Sequence, residues 1–250
     1  MLKTRIIPCL DVIKNKVVKG VNFKNIKVMG NAVEMAKKYS VTGADELCML
    51  DINASYQNRK TFIKIVESIA KVINIPLTVG GGVSALSDIT DLLNAGADKV
   101  SINSAAVKNP KIIRQASLRH GSQCIVVAID AKRYEKQMRV VVKGGREMTN
   151  KELVSWARKI QNLGAGEILL TSMDTDGVQK GFDSNMLKKV TNSVTLPVIA
   201  SGGVGNLEHF YLGHLTKSTG LLAASVFHSG KYSIKKVKNY LKKRGVPVRL

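Results

Sequence analysis

The chain has 250 residues, of which 44% are hydrophobic, and its formal net charge is +21. This length fits one α/β barrel as well as two small domains. There is no run of about 18 apolar residues, so we expect neither a membrane span nor a signal peptide, and we expect a cytoplasmic protein. The three cysteines show no Cys-x-x-Cys spacing, which predicts buried reduced thiols and neither a metal ion nor another cofactor.

The strong positive charge is also found in nucleic-acid-binding proteins. Here, however, aromatic residues make up only 5%, no nucleic-acid-binding motif occurs and the basic residues are scattered. The densest basic run, 235–244, places Ile234, Val237 and Leu241 on one side, which predicts an amphipathic helix with a solvated lysine face. We therefore expect no nucleic-acid partner, but a positive field that attracts phosphorylated substrates and an acidic partner subunit.

Short β-branched runs alternate with helical patterns along the whole chain, which is typical of βα units and a parallel sheet. Helical spacing is clear at 62–70 and 153–163, and Asp183 or Ser184, Asn206 and Ser233 are candidate helix N-caps. Eight βα units in 250 residues predict an α/β fold, a single (β/α)8 TIM barrel domain over residues 1–250. The eight predicted strands are 5–11, 46–51, 77–80, 99–103, 124–130, 167–172, 198–201 and 221–224.

The chain also repeats itself after about 121 residues. Segment 75–83 returns as 196–204, and segment 42–47 returns as 163–168. The repeat predicts a barrel built from two duplicated half-barrels, about 1–120 and 121–250. A site at their common axis would suit a substrate with a phosphate at each end.

Two aspartates end equivalent strands of the repeat, Asp11 the first and Asp130 the fifth. In an eight-stranded ring these strands lie opposite each other, and active sites of such barrels lie at the C-terminal strand ends. Carboxylates on both sides of one substrate suit paired general acid and base catalysis. The alternative is that each aspartate only caps the loop that follows it.

Glycine turns follow the third and seventh strands, and the fourth and eighth strands end with Asn103-Ser104 and Ala224-Ser225. Such turns let backbone N–H groups point at an anion, although tight turns without a ligand remain the alternative. Thr171 ends the sixth strand and belongs to the same predicted site. The predicted phosphate-binding residues are Gly81, Gly82, Asn103 and Ser104 in the first half and Ser201, Gly202, Gly203, Ala224 and Ser225 in the second.

Four charged residues stand at the N-terminal starts of predicted strands: Arg5, Glu46, Lys99 and Glu167. Because side chains of a strand alternate between its two faces, we expect these four to point towards the barrel axis. Buried charges must be paired. The four residues could therefore plug the barrel floor, or they could form a constriction that passes a small neutral molecule.

These motifs together resemble the cyclase subunit of imidazole glycerol phosphate synthase over nearly the whole chain. The resemblance rests on segments 5–12, 17–20, 43–47, 96–103, 127–133, 164–172 and 223–228. Members of this family take ammonia from a separate glutaminase subunit. They convert a phosphoribulosyl-formimino-aminoimidazole carboxamide ribonucleotide to imidazole glycerol phosphate, for histidine biosynthesis, and an aminoimidazole carboxamide ribonucleotide.

The resemblance implies a heterodimer in which the glutaminase docks at the N-terminal face of the barrel, beneath an ammonia gate formed by the four charged residues. It implies that Asp11 and Asp130 are the acid/base pair and that Lys19 closes over the substrate. It also implies that Asp176 and Gly177 contact the substrate.

The chain departs from the family pattern at Asn53, Asn150, Val178 and 217–220. Two other functions compete with the cyclase. A phosphoribosyl-formimino isomerase would share the repeat and both phosphate sites. Its reaction does not use ammonia, so the ring formed by the four charged residues argues against it. An ammonia-delivering paralogue of another amidotransferase could lack a catalytic aspartate, whereas both are present here.

Overall fold

The computed structural model describes residues 2–21, 24–52 and 59–250. Their strands, in chain order, are β1 (Arg5–Ile13), β2 (Lys16–Val21), β3 (Lys24–Asn31), β4 (Leu47–Asp51), β5 (Leu77–Gly80), β6 (Lys99–Ile102), β7 (Ile125–Tyr134), β8 (Gln137–Val142), β9 (Glu147–Glu152), β10 (Glu167–Ser172), β11 (Val198–Ser201) and β12 (Gly220–Ala223). Their helices are α1 (Ala32–Val41), α2 (Arg59–Ala70), α3 (Leu86–Asn94), α4 (Ser104–Lys108), α5 (Lys111–His120), α6 (Leu153–Asn162), α7 (Ser184–Thr191), α8 (Leu207–His214), α9 (Ser225–His228) and α10 (Ile234–Lys243).

Eight parallel strands close into a barrel in the order β1-β4-β5-β6-β7-β10-β11-β12. Closure is made by β12, whose residues 220–223 pair with residues 5–8 of β1. The sequence-based prediction of a (β/α)8 barrel is therefore confirmed, and its eight strands coincide with the barrel strands. Strands β1 and β7 run beyond their predicted ends. The division into half-barrels 1–120 and 121–250 stays a prediction.

Four strands were not predicted, and they form two antiparallel extensions above the barrel. Strand β1 continues into β2 and β3, and strand β7 continues into β8 and β9. The chain reverses at residues with positive φ, Lys14 and Asn15 in one extension and Glu135 in the other. The two extensions therefore occupy equivalent places in the repeat, each following a strand that carries a predicted catalytic aspartate.

The apolar side chains form two separate cores, as strand alternation requires. The larger lies between the barrel and the helices, and the smaller fills the barrel interior. The interior core consists of Ile7, Cys9, Cys48, Val126, Leu169, Ile199 and Leu222. All three cysteines are free thiols; Cys9 and Cys48 are buried, whereas Cys124 is partly exposed.

The helix N-caps match the sequence-based prediction. Asp183, Asn206 and Ser233 each accept a hydrogen bond from a backbone N–H of the first helical turn. In the described part of the chain, no helix has the length and apolar character that crossing a membrane requires.

The prediction of a fully solvated lysine face on α10 is wrong at Lys238. Ile234, Val237 and Leu241 are buried as expected, but Lys238 is buried beside them. Its Nζ donates to Asp45 Oδ1 over 2.7 Å, and Asp45 Oδ2 accepts from the backbone N–H of Ile6. Helical periodicity could not show this partner, because it lies 193 residues away in the chain.

Candidate active site

A pocket of about 650 Å³ opens at the C-terminal ends of the barrel strands. This volume lies within the usual range for sites that bind small molecules. The pocket brings together every residue that the sequence placed in catalysis or substrate binding: Asp11, Lys19, Gly81, Gly82, Asn103, Ser104, Asp130, Thr171, Asp176, Gly177, Ser201, Gly202, Gly203, Ala224 and Ser225.

Asp11 lies near the end of β1 and is paired with Lys19 of the adjoining β2. Lys19 Nζ lies 3.4 Å from Asp11 Oδ2. Burial raises the pKa of Asp11 above its usual value, while Lys19 opposes the shift and the nearby Asp176 adds to it. The ammonium group therefore favours the charged form of Asp11, the form that can accept a proton.

Asp130 occupies the equivalent position on β7, but in the described part of the chain no lysine forms an ion pair with it. Asn103 Nδ2 donates to Asp130 Oδ2 over 2.8 Å. Burial raises the pKa of Asp130 to about 6, the Asn103 hydrogen bond lowers it, and Asp176 raises it. Asp130 is thus the carboxyl group better suited to donate a proton near neutral pH.

The two carboxyl groups therefore differ in environment although their strand positions match. One faces an ammonium group and the other an amide. Burial raises the pKa of both carboxyl groups, but a cation opposes the shift at Asp11 and only an amide opposes it at Asp130. Two carboxyl groups in different environments can take the separate roles of base and acid. The site can accept a proton on one side of a bound molecule and deliver one on the other.

The two glycine turns have matching backbone conformations. Gly81 and Gly82 have φ of +95° and +63°, and Gly202 and Gly203 have φ of +89° and +100°. A Cβ at Gly81 would lie 2.2 Å from the carbonyl oxygen of Asp51, and one at Gly203 would lie 2.1 Å from that of Gly181. The backbone conformation of the turns requires glycine whether or not a ligand binds. The glycines alone are therefore no evidence for a ligand, and the support comes from the position of both turns in the lining of one pocket.

Polar residues after β6 and β12 complete the two ends of the pocket. The Ser104 hydroxyl oxygen accepts the backbone N–H of Lys143 over 3.1 Å, which leaves the hydroxyl hydrogen able to donate. Ala224 and Ser225 stand at the corresponding place in the second half. The lining therefore contains similar small groups on opposite sides.

Sequence reasoning missed the contribution of the β8–β9 turn to the pocket. Lys143 and Arg146 add two cations to the lining, and Gln179 lies in the loop after β10. The signal was present as the strand-forming run Val140–Val142 followed by Gly144 and Gly145. Such a short run is equally compatible with a loop that connects two barrel strands.

The four charged residues at the opposite end of the barrel form a closed ring of ion pairs. Arg5 Nη1 lies 2.7 Å from Glu46 Oε2, and Arg5 Nη2 pairs with Glu167. Lys99 Nζ lies 3.0 Å from Glu46 Oε2 and 2.8 Å from Glu167 Oε2. Among the described residues that line the pocket, none belongs to this ring, and the interior core lies between the two.

The departures from the family pattern are partly explained. Asn53 lies outside the described residues, Val178 is exposed, and Asn150 lies in β9, where its carbonyl accepts from Arg139. In segment 217–220, Thr219 Oγ1 accepts from Arg5 Nη2 over 3.1 Å, so this departure contacts the charged ring as well as affecting packing.

Within residues 2–21, 24–52 and 59–250, there is no group of three or more His, Cys, Asp or Glu that could hold a metal ion.

Known proteins that are similar to this chain belong to one family. A family model described as "Histidine biosynthesis protein" matches residues 5–233. A protein of Natranaerobius thermophilus named "Imidazole glycerol phosphate synthase subunit HisF" is 53% identical over the whole of both chains. One of the same name from Campylobacter concisus is 53% identical over 98% of each chain. The chain therefore belongs to the histidine biosynthesis protein family.

Proposed function

We propose that the chain is the cyclase subunit of an imidazole glycerol phosphate synthase. It uses ammonia to convert phosphoribulosyl-formimino-aminoimidazole carboxamide ribonucleotide to imidazole glycerol phosphate and aminoimidazole carboxamide ribonucleotide, and the ketone oxygen of the substrate leaves as water. The observation that carries the proposal is one pocket with opposed carboxyl groups, Asp11 and Asp130, and a glycine turn at either side. The names and coverage of the two relatives support the same activity.

The different environments of the two aspartates support a division of labour. Asp11, whose charge Lys19 stabilises, accepts a proton from the nitrogen that attacks the substrate. Asp130, whose pKa of about 6 keeps part of it protonated near neutrality, donates a proton to the departing amine. Each such group accelerates a reaction by typically 10²–10⁴-fold.

The two turns support binding of a substrate with two phosphates. One phosphate would lie near Gly82, Asn103 and Ser104, and the other near Gly203, Ala224 and Ser225. Backbone N–H groups in positive-φ turns form concavities that bind anions. The substrate would then span the pocket and pass between the two carboxyl groups.

We propose that the N-terminal face of the barrel binds a glutaminase subunit. Large apolar side chains are exposed near the ends of helices that lead to this face, or near the ends of the chain: Leu2, Val41, Val72, Leu118, Leu215 and Leu250. Exposed apolar side chains gathered on one face support a protein interface there. The ring of Arg5, Glu46, Lys99 and Glu167 lies at the same end of the barrel.

The ring would act as an ammonia gate between the two subunits. Because four ion pairs close it, ammonia can pass only when at least one pair opens. Lys99 is the residue suited to this movement, since its ammonium group is carried on a flexible four-carbon chain. The interior apolar core would then form a dry path from the ring to the pocket.

The reaction class is tested with the purified chain alone. The bis-phosphorylated substrate and an ammonium salt are mixed with it at alkaline pH, and substrate absorbance and both products are followed. Formation of the two products in equal amounts supports the cyclase. Isomerisation of a phosphoribosyl-formimino precursor without use of ammonia would instead establish the isomerase, and no reaction with either would contradict the proposed function.

A further inference from the structure

The carbonyl of Cys9 stands where the pairing between β1 and β12 ends. In a strand, successive carbonyls point to opposite neighbours. The carbonyl oxygens of Ile6 and Val12 accept from the backbone N–H groups of residues 45 and 52, which flank β4. Because Cys9 is an odd number of residues from both, its carbonyl points the other way, towards β12. The last residue of β1 paired with β12 is Pro8, opposite Ala223, where β12 ends.

The imidazole of His228 provides the hydrogen bond that the strand no longer supplies. His228 Nε2 lies 2.9 Å from the carbonyl oxygen of Cys9, and Nδ1 lies 2.6 Å from the hydroxyl of Tyr39. A carbonyl can only accept, so Nε2 carries the hydrogen and Nδ1 accepts from Tyr39. Burial lowers the pKa of His228 to about 4, which keeps the ring neutral at physiological pH.

This hydrogen-bonded chain connects three elements around the pocket. His228 is the last residue of α9, and Ser225, the first residue of α9, lines the pocket. Cys9 lies two residues before Asp11 on β1, and Tyr39 belongs to α1. Tyr39 also packs edge-on against Phe227, with ring centroids 6.4 Å apart. The bond from His228 therefore connects the helix that begins with Ser225 to the strand that carries Asp11.

The other half of the barrel has no equivalent of this arrangement in its sequence. By the repeat of 121 residues, the counterpart of Tyr39 is Ile160 and that of His228 is Val107. Neither side chain can form a hydrogen bond. The hydrogen bonds of Tyr39 and His228 therefore occur beside only one of the two predicted phosphate sites, the one that contains Gly203 and Ser225.

We propose that His228 and Tyr39 are positioning residues that hold α9 against β1 and so align the second phosphate site with Asp11. His228 makes the contact, and Tyr39 fixes its tautomer and ring orientation. The kinetic consequence rests on the proposed function. The effect on phosphate binding rests only on the phosphate site proposed near Gly203 and Ser225, and not on the cyclase reaction.

Three substitutions separate the parts of this arrangement. Tyr39→Phe removes only the hydroxyl group, and His228→Leu removes both hydrogen bonds. His228→Gln keeps one donor and one acceptor and should restore part of the function. Tyr240→Phe is the matched control, because its hydroxyl also bonds to a neighbour, Glu208, but lies on α10 away from the pocket.

Inorganic phosphate is the probe, and its binding is followed by amide chemical shifts at Gly203 and Ser225 and, separately, at Gly82 and Ser104. We expect His228→Leu to weaken binding at the second site by roughly tenfold, the loss expected when one hydrogen-bonded contact is misplaced. Tyr39→Phe should weaken it less, and the first site should keep its affinity in both. Equal weakening at both sites, or the same affinity as the wild-type protein at the second, would overturn the proposal.

The unmodified protein provides a second test that needs no substitution. Nitrogen-15 spectra of His228 should show a neutral ring protonated at Nε2; protonation at Nδ1 would overturn the assignment. Wild-type protein that binds no phosphate at Gly203 and Ser225 would overturn it as well, because there would be no site to align.

Turnover measurements separate this proposal from the proposed function. If the wild-type protein is an active cyclase, His228→Leu should raise KM for the bis-phosphorylated substrate and His228→Gln should restore part of it, while Tyr240→Phe leaves both kcat and KM unchanged. A change in thermal stability alone, with KM unaltered, would make the pair merely structural. Wild-type protein without turnover but with the expected phosphate-binding pattern would contradict the proposed function and leave the alignment supported.

Discussion

Asn103 donates a hydrogen bond from Nδ2 to Oδ2 of Asp130 over 2.8 Å at the barrel mouth. This bond favours the charged carboxylate, yet burial outweighs it and the pKa of Asp130 is raised to about 6. The protein therefore keeps a carboxyl group in surroundings that disfavour its charge. A buried carboxyl group of this kind lowers the stability of the folded protein. A catalytic role would explain why it is present.

Asp130→Asn should stabilise the protein at neutral pH. A carboxyl group whose pKa is higher in the folded state makes stability fall as pH rises from its unfolded value, near 4, through about 6. Removing it should increase the free energy of unfolding above pH 7 by on the order of 2–3 kcal/mol, with the gain shrinking towards pH 4. Denaturant unfolding of both proteins across this pH range measures the effect. A constant difference at every pH would show that the charge of Asp130 is not its cause.

Lys99→Ala tests the gate against a simple plug. With a glutaminase bound, we expect a changed ratio of glutamine hydrolysed to product formed, while the ammonium-driven rate stays close to that of the wild-type protein, since free ammonium also enters from the mouth. If the ring were only a plug, loss of one partner of a buried pair would cost about 3–5 kcal/mol and slow both reactions alike.

The matched control for Lys99→Ala is Lys159→Ala, which removes an exposed lysine of α6. It should change neither the coupling ratio nor the ammonium-driven rate. Thermal melting of both variants shows whether a loss of activity follows from unfolding.

Crystals grown in phosphate or sulfate should contain two anions in the pocket. One should lie near Gly82, Asn103 and Ser104, and the other near Gly203, Ala224 and Ser225. Density at one place only would weaken the case for a substrate with two phosphates. Density at neither would make the glycine turns purely structural.

Lys238→Met should destabilise the fold without altering the site. Lys238 and Asp45 are each only 4% exposed, so the substitution leaves a buried carboxylate without its cation. Breaking such a pair typically costs about 3–5 kcal/mol, which for a chain of this size lowers Tm by on the order of 10 °C. Adding Asp45→Asn should recover part of the loss. Full stability of Lys238→Met would show that the pair contributes nothing.

The strands of the barrel and the inward-facing residues followed from local patterns. Alternation fixes the side on which Arg5, Ile7, Cys9 and Asp11 lie, because side chains in a strand have a period of two. The repeat relates Asp11 to Asp130 from the sequence alone. These patterns sufficed for the barrel and for most of the pocket lining, but not for Lys143, Arg146 and Gln179.

What the sequence did not reveal depends on contacts between distant segments. Lys238 looked like part of a solvated face, because helical periodicity says nothing about Asp45. His228 and Tyr39 lie 189 residues apart. The extensions β2–β3 and β8–β9 are stabilised by pairing with barrel strands, so their short runs resembled loops when considered alone.

Turnover by Asp11→Asn and Asp130→Asn tests the central claim most directly. Each variant is assayed with the bis-phosphorylated substrate and ammonium, and its folding is checked by thermal melting. Both should remain folded and lose activity by about 10²–10⁴-fold, the contribution of a general acid or base. Wild-type turnover in either folded variant would contradict the account by removing that aspartate from the mechanism.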